Sequence, residues 1–249
     1  MSEFSDALGR LRGQRAAGAS VADEPAGKEL LRALGLSVPQ GLVAAGVDEA
    51  VEAARALGGP VAVKLVAQDL PHKSDVGAVA GPLDTPAAVR AAAARIVRPE
   101  AVGLLVERWH DGGVACFAGL ALHTAFGPVV SFGLGGVWVE ILRDVAHRLA
   151  PVSEREAREM ALSLRAAPLL LGARGRPAVD LSALAASVSR LSRLAADEDA
   201  RELVDEVDVN PLLALESGTP VALDATVVLR PVAPAHASAP TSSVAHTST

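Results

Sequence analysis

Residues 61–66, Val-Ala-Val-Lys-Leu-Val, form a short β-branched run between two Ala-rich stretches with apolar residues at helical spacing. This alternation constrains the fold more than any other feature of the chain. Upstream, "VDEAVEAARALGG" carries Asp48 near its start and Gly58 just past its end, where a left-handed residue is favoured. Downstream, "TPAAVRAAAARI" offers Thr85 as an N-cap and Pro86 at the first helical position. An earlier segment, "EPAGKELLRALGL", repeats the helical pattern and stops at Gly35. Strands alternating with helices specify layered α/β or α+β architecture. Half of the residues are hydrophobic but only 2% are aromatic, so the core must be built from Ala, Val and Leu.

The second half opens with two strands, "GLLVERW" and "VACFAGLAL", joined by an "HDGG" turn. "GPVVSFGLGG" reads as a strand running into a glycine-rich loop. Ser153 and Glu156 have capping-box spacing at the start of a helix, and "DLSALAASVSRLSRLAAD" is a second long helix. "LVDEVDVNPLLAL" and "PVALDATVVL" read as a closing hairpin. Composition predicts a loosely attached, flexible extension over 1–22 and a disordered Pro-, Ala-, Ser- and Thr-rich tail over 231–249. Between them, subdomains are expected over 23–105 and 106–230.

The net charge of −6 argues against a nucleic-acid partner. No apolar run reaches the roughly 18 residues that span a bilayer, so no membrane association is expected. The first twenty residues lack the apolar centre of a signal peptide, and Cys116 stands alone; the expected location is a reducing cytoplasm.

Several residue groups could carry chemistry. Lys64 lies inside an apolar strand and must either reach solvent or meet an anion such as phosphate. The loop "PHKSDVG" follows, where Lys73, Ser74 and Gly77 supply a cation, a hydroxyl and a place for close backbone approach. His72 in that loop is a credible nucleophile toward phosphorus, although a lone loop histidine is more often a surface residue. Gly133, Gly135 and Gly136 would let backbone amides approach an oxyanion, or make a tight turn. Arg148, Arg165 and Arg174 read as solvated. Asp208 and Asn210 share one strand face, and antiparallel pairing would set Asn210 beside Asp224. Such oxygen donors suit Mg²⁺; the alternative is a plain Asn-Pro turn.

Together the blocks "VAVKLV…HKSDVGAV", "FGPVVSFGLGGVWVEILRDVAHRLAP", "SLRAAPLLLGARGRP" and "DVNPLL…ALDA" resemble the ATP-grasp domain. More narrowly they resemble the β subunit of ADP-forming acetyl-CoA synthetases, relatives of the succinyl-CoA synthetase β chain, from about Ala22 to Arg230. The resemblance implies an ATP-grasp fold with two α/β subdomains and the nucleotide between them. It implies that Lys64 contacts the ATP phosphates and that His72, on a moving loop, relays phosphate. Asn210 and Asp224 match Mg²⁺ ligands, with Asp208 beside them. Glu107 matches a nucleotide contact at the hinge, and Gly133 to Gly136 with Glu140 match the phosphate loop and the acid after it. The implied reaction joins a small carboxylic acid to coenzyme A with conversion of ATP to ADP, or the reverse from an acyl-CoA. The coenzyme A site would come from an α-type CoA-binding ligase subunit in a hetero-oligomer.

The chain also departs from that pattern. Ala115 stands where a second nucleotide-contacting Glu is usual. Leu122, His123 and Thr124 replace Arg, Asp and Pro, and Ala78 replaces a Gly. Two other readings therefore stand beside the ligase: a non-catalytic nucleotide-binding module with a regulatory or partner-binding role, and an amide-forming ATP-grasp ligase.

Overall fold

The structure is a computed structural model that describes residues 2–68, 77–98, 101–136 and 144–232. Its strands form two antiparallel sheets. The smaller has the order β1-β4-β2-β3, from β1 (Gly41–Ala44), β2 (Val61–Val66), β3 (Val79–Leu83) and β4 (Gly103–Arg108). Helices α3 (Val47–Leu57) and α4 (Pro86–Ile96) cover it, closing a core of Val61, Val63, Leu65, Leu104, Val106, Val51, Val89 and Ile96. The predicted ends hold: Thr85 Oγ1 accepts from the Ala88 amide, and Gly58 takes a φ of 69°.

The larger sheet runs β10-β8-β5-β6-β7, with β9 (Val221–Ala222) paired to β8 (Val204–Ala214). Its other strands are β5 (Val114–Ala121), β6 (Val129–Leu134), β7 (Val145–Leu149) and β10 (Thr226–Leu229). One face packs on helices that include α5 (Glu154–Ser163) and α7 (Leu181–Ser192), α6 (Ala167–Leu170) being a single turn between them. The Ser153–Glu156 capping box is formed in both directions. Helix α8 (Glu198–Leu203) leads into β8. Cys116 lies in this core, where burial pushes its thiol up to about 12.

Three expectations change. The extension is not loose: α1 (Glu3–Ala16) is capped by Ser2 and buries Ala7, Leu8 and Leu11 in the larger core. It is tied to α2 (Glu24–Ala33), because Asp23 accepts from Gln14 Nε2 at 2.6 Å and pairs with Arg10 at 3.2 Å. Second, α2 packs with the larger sheet through Leu30 and Leu31, so the smaller layer spans roughly 41–108 rather than 23–105. The leading segment belongs to the body that closes the chain; Ala22 even donates to the Val227 carbonyl of β10. Third, β4 and β5 are both strands but belong to different sheets, so "HDGG" is a crossover rather than a hairpin turn. The tail from 233 onward lies outside the described residues. Among the described residues, no helix is long and apolar enough to cross a membrane.

Candidate nucleotide site

The two layers meet along a cleft of about 160 Å³. Strand β2 supplies Ala62 and Lys64, and β3 supplies Val79. The end of β4 and the crossover supply Glu107, Arg108, Trp109 and His110. From the larger sheet come Asn210, Pro211, Leu223 and Asp224. Its volume lies below the roughly 300 Å³ at the small end of ordinary ligand pockets, so it suits part of a nucleotide rather than all of one.

Lys64 points into the interface, not to solvent; its side chain is 9% exposed. It donates to Glu24 Oε1 at 2.6 Å and to the Leu223 carbonyl, and it lies 3.1 Å from Glu107 Oε2. Lys28 donates to both carboxylate oxygens of Glu107 and lies 2.8 Å from Glu24 Oε1. Among the described residues, two cations and two anions thus alternate around a buried ring that joins α2 of the larger body to β2 and β4 of the smaller sheet. Burial alone would pull Lys64 down, but Glu24, Glu107 and Asp224 outweigh it and hold its pKa above the ordinary lysine value. Lys28 is drawn below its ordinary value by burial and by the charge of Lys64, against the pull of the two carboxylates.

Glu24 and Lys28 were missed by the sequence reading. The available signal was their i, i+4 spacing inside the apolar stripe of α2, in line with buried Leu31. Charged residues on a core-facing stripe need buried partners.

Asn210 and Asp224 are brought together as expected. The β8–β9 register pairs Leu212 with Ala222, and the Leu223 amide donates to the Pro211 carbonyl, which continues the ladder toward Asn210 opposite Asp224. Asn210 Oδ1 accepts from the Gly136 amide at 2.9 Å, and Asp224 Oδ1 accepts from the Ala225 amide at 2.8 Å. The donor set, one carboxylate and one amide oxygen on a shared cleft, fits Mg²⁺, which takes few protein ligands and completes its shell from phosphate and water. Asp208 is placed apart from the lining, opposite Gly119 and Thr226 in the sheet. A Cβ on Gly119 would come within 2.7 Å of Asp208 Oδ1, so that glycine makes room for the carboxylate.

The described part of the glycine-rich loop ends at Gly136. The Gly135 amide donates to the Ala115 carbonyl and the Gly136 amide to Asn210, so both are engaged within the protein. Gly133 and Gly135 are also held by close packing, while Gly136 takes a φ of 65° with open space beside it. A Cβ on Gly133 would meet the Asp144 carbonyl at 2.8 Å, and one on Gly135 the Cys116 carbonyl at 2.4 Å. Gly77 takes a φ of 66° in open space at the end of the "HKSDVG" segment. His72, Lys73, Ser74 and Glu140 lie outside the described residues. His123 lies with Arg201 and Arg230, with Nε2 2.7 Å from the Arg201 carbonyl, away from the cleft lining. None of residues 122–124 is in the cleft lining.

The family model for the ATP-grasp domain matches residues 13–229. The β subunit of an ADP-forming acetate–CoA ligase of Pyrococcus furiosus is 36% identical over 214 residues, covering 83% of this chain and 90% of the relative. A 4-hydroxybutyrate–CoA ligase of Nitrosopumilus maritimus is 37% identical over 203 residues, covering 78% of this chain but 29% of the relative. The chain thus spans less than a third of the single-chain ligases it matches, and nearly all of the separate β subunit. A crystal structure from Pyrococcus horikoshii superposes with a TM-score of 0.84 at 32% identity, covering 93% of this chain and 100% of that one. An acetyl-coenzyme A synthetase of Ca. Korarchaeum cryptofilum, in complex with coenzyme A and Mg-AMPPCP and with its phosphohistidine segment pointing towards the nucleotide site, gives 0.78 at 34% identity, covering 90% and 100%. With two antiparallel layers flanking one cleft, and matches that run across both, this chain belongs to the ATP-grasp family, in the branch that holds the β subunits of ADP-forming acetate–CoA ligases.

Proposed function

We propose that this chain is the nucleotide-binding, β-type subunit of a cytoplasmic ADP-forming acyl-CoA synthetase. The observation that carries the reading is the cleft: Lys64, Glu107, Asn210 and Asp224, far apart in sequence, line one space between the two layers. Asn210 and Asp224 would hold Mg²⁺, which when bound offsets charge on the triphosphate. Lys64 would approach the phosphates as a point charge, with its proton secured by neighbouring carboxylates. An imidazole nitrogen of His72 would attack the γ-phosphorus while the bond to the β-phosphate oxygen breaks, leaving ADP and a phosphorylated imidazole. The phosphoryl group would then pass to the acid's carboxylate as an acyl phosphate. Coenzyme A thiol would displace phosphate from it at a site on an α-type subunit, giving the hetero-oligomer. The phosphohistidine segment and the Mg-AMPPCP complex of the Korarchaeum relative support this assignment for His72 and for the metal.

A second reading, a nucleotide-binding module without turnover, draws on Ala115. This residue precedes buried Cys116 on β5 and so faces the opposite side of the sheet, where it has no carboxylate to offer a nucleotide. Incubation with γ-labelled ATP and Mg²⁺ separates the two. The ligase reading expects label on the protein that disappears in His72→Ala while ATP binding persists. A folded protein that binds ATP and takes up no label would make the module the correct reading.

A further inference from the structure

The buried ring consists of two hydrogen-bonded pairs, joined by two looser contacts. Lys28 with Glu107 is the first pair, at 2.6 Å for Oε1 and with a second bond to Oε2; Lys64 with Glu24 at 2.6 Å is the second. The joining contacts are Lys28 to Glu24 at 2.8 Å and Lys64 to Glu107 at 3.1 Å, the longest side of the ring. All four side chains are less than 10% exposed. A phosphate arriving in the cleft can attract Lys64 only by drawing it away from some present partner. If Glu107 depended on Lys64 alone, that movement would leave a buried carboxylate without a counter-ion, which is strongly unfavourable. Lys28 removes the difficulty, because it already bonds both Glu107 oxygens.

We propose that Lys28 and Glu24 are positioning residues for nucleotide binding: they let the ring open at its Lys64–Glu107 side, so that Lys64 turns to a phosphate while every buried charge keeps a partner. This rests on the nucleotide-binding reading above. Glu107 then acts through Lys64 and Lys28, both of its carboxylate oxygens accepting from Lys28 of α2. The ring also makes binding depend on α2, a helix of the other body, so the two layers must be seated before Lys64 is correctly placed.

The test compares MgATP affinity with thermal stability in wild type, Lys28→Met and Lys28→Met/Glu24→Gln. Lys28→Met leaves Lys64 as the nearest counter-ion to both carboxylates among the described residues, and affinity should fall at least about tenfold. The double variant restores the charge balance, so its melting temperature should return toward wild type. Its affinity should stay low, because among the described residues Lys64 is then the one counter-ion of Glu107. If Lys28→Met does not fold, the double variant carries the comparison alone. Recovery of affinity together with stability, or Lys28→Met binding as wild type does, would overturn the inference while leaving the functional reading intact. A folded wild type that binds no MgATP would overturn both.

Discussion

A lysine in the middle of an apolar strand was the sharpest residue-level question in the sequence, and the answer is only half visible there. The need for an anion followed from burial; that the anions are Glu24 and Glu107 did not, since these lie 40 residues before and 43 after Lys64 on other elements. Asn210 and Asp224 were legible because a hairpin register is local. Their roles are separable by substitution. Asp224→Ala removes the carboxylate proposed for Mg²⁺ and also one of the charges that hold Lys64 protonated. Calorimetric titration with ATP should show the gain from adding Mg²⁺ shrink by about tenfold or more, with weak metal-free binding retained. An unchanged Mg²⁺ dependence would remove Asp224 from the metal site.

At the scale of elements, capped helix starts are legible in the sequence and connections less so. Thr85 and Ser153 cap the helices they precede, because a cap is a contact between near neighbours. The separation of β4 from β5 into different sheets depends on which strands they meet, information that "HDGG" does not contain. Strand β8 shows a subtler case. Its pairing with β5 slips by one residue beside Asn210 and Pro211, so Val207, Val209 and then Leu212 face the core. The bulge keeps Asp208 and Asn210 on the opposite face while the strand continues into the hairpin. The loop after β6 packs directly against this feature, and at Gly135 the constraint is steric. Gly135→Ala would drive a methyl toward the Cys116 carbonyl and Asn210 Oδ1. It should lower stability by about 1–3 kcal/mol in urea unfolding. It should also weaken MgATP binding by displacing Asn210; intact affinity would separate the loop from the site.

For the whole molecule, the main surprise is how the leading segment is used. The small, charged composition of residues 1–22 suggested a loose extension, and 23–105 a subdomain of its own, yet α1 and α2 are part of the body that closes the chain. The matched family region begins at residue 13, inside α1. That helix is connected to the site through few steps. Leu8 and Leu11 anchor α1 in the larger core, and Gln14 and Arg10 hold Asp23, which caps α2 through the Ala26 amide at 2.8 Å. Glu24 follows at once and holds Lys64. Deleting residues 2–17 exposes the surface that Ala7, Leu8 and Leu11 cover, which should reduce stability by roughly 3–6 kcal/mol in a denaturant titration. The same deletion frees Asp23 from Gln14 and Arg10, so the first turn of α2 loosens and Glu24 with it. MgATP affinity measured well below the melting temperature should therefore also drop, by about three- to tenfold if the ring governs Lys64. A truncated chain that is less stable but binds MgATP as tightly as the full chain would show that α1 supports the fold without reaching the cleft.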